Sequence, residues 1–215
     1  ILGGEEGSAG SAAASASLGE VAMLEGAFRE AIGCFEEAIE VNRRLGRSAL
    51  LWIAEAGRIR AMVELGVQPM VHVLDQGVGV AEAQSLVPLE VELRTARGVA
   101  WSTIDPSRGE SDLERAIWLA EKAGLPVLSG RARYAWAVRL PNHDGARLAA
   151  LEQAEEELSS SAPLAARTVL ARARLLAAFD PAEARTVALQ ALEQLQGMGM
   201  TRDARLARLL ADHLG

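Results

Sequence analysis

The sequence predicts an all-α fold assembled from repeated helical hairpins, and three observations predict it. Half of the 215 residues are hydrophobic but only 4% are aromatic, so Ala and Leu, both strong helix formers, must do most of the packing. Segments rich in Val, Ile, Thr or Tyr are scarce, which argues against a sheet. Helix-ending signals recur at Gly46, Ser85, Gly124, Ala162 and Gly199, at gaps close to 38 or 39 residues. Each interval holds two apolar-periodic segments, and self-similarity of this kind marks a stacked helical array.

Each interval divides into a helix A and a helix B. Pair one is expected over 12–25 and 28–45, and pair two over 48–65 and 69–84. Gly77 and Gly79 weaken the second of these B helices, each costing roughly 1 kcal/mol relative to Ala. Pair three is expected over 88–102 and 110–123, pair four over 126–140 and 144–159, and pair five over 163–179 and 181–196. A last helix over 201–214 would cap the stack, with Leu206, Leu209, Leu210 and Leu214 inward and Arg202, Arg205 and Asp212 outward. Local chemistry fixes several boundaries. Asp180-Pro181 sets a side-chain acceptor at the N-cap and a proline at the first helical position. Thr201 can cap the last helix in the same way. Gly46, Gly66 and Gly124 stand where a left-handed C-cap is expected, and the run from Pro141 to Gly145, with His143 within it, is dense in turn formers. Residues 1–11, rich in Gly and Ser, are expected to be a flexible linker, leaving 12–215 as the repeat domain. A start at Ile1 without Met is the expected mark of a piece cut from a longer protein.

Charge and composition exclude several roles. The formal net charge of −7 opposes general affinity for a nucleic-acid backbone. Arg almost wholly replaces Lys, with Lys122 alone of its kind, an association with GC-rich bacterial genomes. Cys34 is the single cysteine; an internal disulfide is therefore excluded and a cytoplasmic setting is expected. No uninterrupted apolar run is long enough to span a membrane, and no signal peptide is expected.

Catalytic or cofactor chemistry finds little support. His72, His143 and His213 fall in different repeats without metal-ligand spacing. Cys34 has no neighbouring base and is expected to be structural. The glycines of the run 77–82 and of 197–200 lack the rest of a dinucleotide fingerprint. Glu152, Glu155, Glu156 and Glu157 are expected to form a solvated helix face. Trp52, Trp101, Trp118 and Trp136 are expected to pack rather than stack on bases. No cofactor is expected.

The first pair resembles a repeat of the tetratricopeptide (TPR) family through Leu18-Gly19, Gly26, Phe28, Ala31, Phe35 and Ala38. Gly19 and Ala31 would let the two helices approach, Phe28 and Phe35 would fill the space between them, and Ala38 would admit the next repeat. Ser15 and Ala22 replace two of the family's aromatics. Gly57 and Gly98 can stand in for Gly19 in pairs two and three, whereas pairs four and five carry Ala there. Intervals longer than the roughly 34 residues usual for the family resemble the long arrays of bacterial signalling proteins and MalT-like transcriptional activators. The resemblance implies a TPR-like right-handed superhelix of about five hairpins plus a C-terminal capping helix, with a concave face lined mainly by A helices.

Function is therefore expected to be protein binding rather than catalysis, as the regulatory or sensor module of a larger bacterial regulator; self-association without a separate ligand is the alternative, and an all-helical enzyme the least favoured. The A helices of pairs four and five carry Arg131, Arg133, Arg139, Arg167, Arg172 and Arg174 and no acid, while B helices carry Glu30, Glu36, Glu37 and Glu40 and the Glu152–Glu157 run. An inner groove lined by Arg58, Arg131, Arg139 and Arg172 is accordingly expected to accept an anionic protein or peptide. The competing expectation is that these arginines pair with acids of neighbouring helices. Direct nucleic-acid and membrane binding are not expected.

Overall fold

A computed structural model of the chain describes residues 2–141 and 144–215, with side chains described from residue 10 onward. Among the described residues it has eleven α-helices and no strand. They are α1 (Leu2–Glu25), α2 (Phe28–Arg44), α3 (Ser48–Glu64), α4 (His72–Ala83), α5 (Val87–Trp101), α6 (Pro106–Lys122), α7 (Pro126–Arg139), α8 (Asp144–Glu157), α9 (Ala162–Leu176), α10 (Pro181–Gly197) and α11 (Thr201–His213). Five A–B pairs and a last helix follow the expected order; α1 to α5 pack each on the next in sequence, as do α7 to α11.

Local sequence explains where most helices stop. Gly26, Gly46, Gly66, Gly124 and Gly199 all take positive φ, as does Ser85 at 54°. Each closes its helix with the same double bond. At the end of α2, for example, Gly46 N–H donates to the Arg43 carbonyl at 3.2 Å and Arg47 N–H reaches back to Asn42 at 2.9 Å. This is the Schellman arrangement, which satisfies carbonyls that the helix itself leaves open. Pairs three and five turn differently. Asp105 N–H and Asp180 N–H bond the carbonyls of Trp101 and Leu176, and each Asp then caps the next helix ahead of a proline, Asp105 accepting from Arg108 N–H at 3.3 Å and Asp180 from Glu183 N–H at 2.9 Å.

Several boundaries differ from expectation. α6 starts at Pro106 and not Glu110, because Asp105-Pro106 supplies the same cap as Asp180-Pro181. α4 starts at His72 and not Pro69, its first turn resting on the carbonyls of Met70 and Val71. Ala162 opens α9 instead of closing α8, which ends at Glu157. No side-chain cap from Thr201 forms; it is the first residue of α11. α1 runs from Leu2, so helix covers most of the segment expected as a linker; the Ala-rich stretch carries it, and the Ser15 hydroxyl donates back to the Ser11 carbonyl at 3.0 Å. Asn142 and His143, in the expected turn after α7, lie outside the described residues.

The chain divides into two compact units, residues 1–116 and 117–215, with the boundary inside α6. In the first, α2 lies between α1 and α3. Phe35 is its anchor: it is 1% exposed, and a β-carbon at Gly19 or at Gly57 would come within 2.8 or 2.5 Å of its ring. Ala22, Ala31, Ala38, Ile39, Ala54 and Ala61 complete this core. Gly19 thus faces the B helix of its own pair, whereas Gly57 faces the B helix before it. Gly98 faces its own pair again, beneath Leu113 and against the Gly109 backbone. Of the remaining motif residues, Phe28 is half-buried, and Leu18 points outward, 59% exposed.

Pair two is splayed. α3 packs along α2 and α5 but meets α4 only over a short stretch. Trp52 fills the gap, and Gly77 is what admits it, since a β-carbon there would lie 3.0 Å from both the Trp52 ring and Leu93. The glycine that weakens α4 therefore positions it.

In the second unit, α8 packs between α7 and α9, and α10 between α9 and α11. In pair four the close approach is at Gly130, where a β-carbon would lie 2.7 Å from Leu158. α11 covers the α9–α10 core as a cap, through Ala204, Ala207 and Ala211 with Leu206, Leu210 and Leu214 beside them. Leu209 does not join that face; it is 56% exposed.

Candidate functional site

The A-helix arginines bear on the expected binding face, and carboxylates hold them. Arg58 donates through Nε and Nη2 to Glu55, at 3.1 and 2.7 Å, with Glu36 of α2 at 3.8 Å. Arg172 lies 3.4 Å from Glu155 and 4.0 Å from Glu152 of α8. Arg133 bonds Glu121 and Glu157, and Arg167 bonds Asp203 of α11 at 2.6 Å. Arg131 and Arg139 are half-buried and have interaction partners too. Arg174 is exposed. The charge of Arg133, Arg167 and Arg172, unopposed within the A helices of pairs four and five, is met by acids of neighbouring helices, and that of Arg58 both by Glu36 of a neighbouring helix and by Glu55 of its own.

The pairing is itself periodic. Arg58 meets Glu36, and Arg97 meets Asp75 at 2.8 Å, 22 residues back; the second pair is the first moved on by 39 residues, from 36 to 75 and from 58 to 97. Arg94 bonds Glu82 and Arg133 bonds Glu121, both 12 residues back, again 39 residues apart. In each, an A-helix arginine grips the preceding B helix. Asp112 of α6 closes the array in unit one, accepting from Arg97 at 2.6 and 2.7 Å and from Arg94 at 3.2 Å. The hydrogen bond to Asp112 raises the Arg97 pKa, against the effect of burial.

Arg60, not Arg58, joins the A helices. It bonds Glu20 of α1 at 2.6 Å. Burial works against its charge, yet the carboxylates of Glu20 and Glu92 outweigh it and raise the pKa. Along the first three A helices the charged line is therefore acid, base, acid, and not a run of arginines.

The splay of pair two opens a groove of about 580 Å³ between α2, α3 and the start of α4. Its apolar lining is Ile39, Leu51, Trp52 and Val73, with Met70 61% exposed beside them. Glu36, Glu40 and Glu55 face it together with Arg43 and Arg58. A smaller groove of about 530 Å³ in unit two is lined by Glu152, Glu155, Glu156, Ser159, Ala165 and Arg172. Trp52 and Met70 were expected only as a packing residue and as part of a helix; the signal for the groove was a large apolar side chain in the turn after Pro69.

Other expected positions distribute as follows. His72 and His213 are exposed and Cys34 is half-buried. Among the described residues no group of His, Cys, Asp or Glu could hold a metal ion. In the Glu152–Glu157 run, Glu152 and Glu156 are exposed as expected, whereas Glu157 is 16% exposed and accepts from Ser129 and Arg133. Trp118 is 45% exposed, with the Lys122 ammonium over its ring at 4.8 Å, and Arg108 covers Trp101 at 4.9 Å. No described helix is long and apolar enough to cross a membrane. No family model matches the sequence, and no curated protein matches it.

Proposed function

We propose that this chain is a TPR-like module that binds a segment of another protein, and that the groove over α3 is the contact site. The supporting observation is the splay between α3 and α4, which leaves Trp52 and Met70 facing open volume beside the tightly packed contacts of α2 with α3. An apolar lining with a few charged groups at its edge is the usual make-up of a peptide groove. On this reading the module serves a larger bacterial signalling or transcriptional regulator in the cytoplasm, where a bound segment biases the arrangement of attached domains. Catalysis has no part in it.

The test is a peptide array probed with the chain and with Met70→Ser. Met70 is exposed and its loss should leave stability within about 0.5 kcal/mol. Peptides retained by the parent and released by Met70→Ser support the site; retention that ignores the substitution rejects it. A second reading, self-association, draws on Leu18 and Val21, which are 59% and 49% exposed on α1. Sedimentation of the chain and of Leu18→Ser with Val21→Ser distinguishes it, since a self-associating chain would lose mass in the variant.

A further inference from the structure

We infer that the segment taken by the α2–α3–α4 groove is basic: an apolar side chain set against Trp52 and Met70, next to a Lys or Arg held by Glu36 and Glu40. The inference rests on the groove being a protein-binding site and adds the chemistry of its occupant. Three carboxylates and two guanidinium groups face the groove. They are not equally committed. Glu55 and Arg58 are 7% and 21% exposed and joined by two hydrogen bonds to one oxygen, a neutral pair that stays shut. Glu36 touches Arg58 only at 3.8 Å and is 58% exposed. Glu40 is 56% exposed, and its partners Arg43 and Arg44 are 59% and 67% exposed.

Exposed pairs of this kind contribute little, so an incoming cation can replace Arg43 and Arg44 at Glu40 with small loss and can also pair with Glu36, which holds Arg58 only loosely. An incoming anion could meet Arg43, but it would have to open the Glu55–Arg58 pair to reach the guanidinium beside Trp52. The groove in unit two has the same sign by an independent set of residues, one guanidinium among three glutamates. The net charge of −7 favours encounter with a basic partner over an acidic one.

Two fluorescent peptides with the same Leu-containing core, one flanked by Lys and one by Glu, test this by anisotropy on the full chain at low and high salt. The Lys peptide is expected to bind at least about tenfold more tightly, a difference near 1.4 kcal/mol, and to lose that advantage at high salt. Glu36→Gln with Glu40→Gln should remove most of the preference, while Met70→Ser should weaken both peptides. Equal or tighter binding of the Glu peptide, still sensitive to Met70→Ser, overturns the basic occupant and leaves the groove standing. Binding of either peptide that ignores Met70→Ser removes the groove and the inference together. Circular dichroism of the Gln variants checks that both fold, as expected for two exposed surface glutamates.

Discussion

A β-carbon on Gly57 would sit 2.5 Å from the ring of Phe35, so the α3 backbone rests directly on the side chain that anchors α2. Gly57→Ala should cost about 1–3 kcal/mol, as overpacking of a tight core does. Phe35→Ala should cost about 3–5 kcal/mol. The double variant should lose less than the sum, because removing the ring also removes the clash. Equilibrium denaturation of the three chains measures the coupling, and strict additivity would separate the two residues.

Asp112 accepts from both Arg94 and Arg97 and is 10% exposed as a side chain. Asp112→Ala leaves two guanidinium groups facing each other with one carboxylate fewer. The expected loss is about 3 kcal/mol, the lower end for breaking a buried pair, because the arginines retain some solvent contact. Urea denaturation reads it, and a loss below about 1 kcal/mol would mean that Glu82, Asp75 and Glu90, which accepts from Arg94 at 2.7 Å, carry the network without it.

Ser85 ends α4 at a φ of 54°, where the other ends of this type carry glycine. A left-handed conformation costs an L-residue roughly 1–2 kcal/mol, and glycine gives back part of that as entropy in the unfolded chain. Ser85→Gly should therefore stabilise by about 0.5–1 kcal/mol, seen as a higher denaturation midpoint with an unchanged slope.

The Asp105 carboxylate accepts from the Ser107 hydroxyl at 2.8 Å and from Arg108 N–H, which lowers its pKa, the Ser107 bond first. The folded value lies below the unfolded one, so this contribution to stability is complete above the ordinary carboxylate range and disappears as pH falls through the folded value. An NMR titration should find Asp105 below the ordinary aspartate value, and Ser107→Ala should move it upward; no movement would assign the shift to the backbone N–H instead.

Helix order was legible because its signals are local. Each positive-φ residue, each Asp-Pro and each apolar period acts within a few positions, so the hairpins could be placed from the chain alone. α6 starts four residues before Glu110 because Asp105-Pro106 carries the same start signal as Asp180-Pro181. The candidate site was less legible because its charges are balanced between helices rather than within one. Arg133 has no acid within α7, yet Glu121 and Glu157 reach it from α6 and α8. The recurrence of Glu82 and Arg94 at Glu121 and Arg133 was present in the sequence as a second 39-residue echo. The groove had no such echo: it depends on how far α3 and α4 stand apart, a distance set by Trp52 against Gly77 rather than by any periodic feature.

Helices here pack mainly on those next in sequence, so most contacts within each unit close short loops. Such topologies pay little chain entropy before contacts form, and they fold in the microsecond-to-millisecond range rather than in seconds. A ribosome-bound fragment ending after α3 would already contain both glycine surfaces that enclose Phe35. The first hairpin and a half can consequently assemble during synthesis, with α4 and α5 adding to an edge already formed within the same unit.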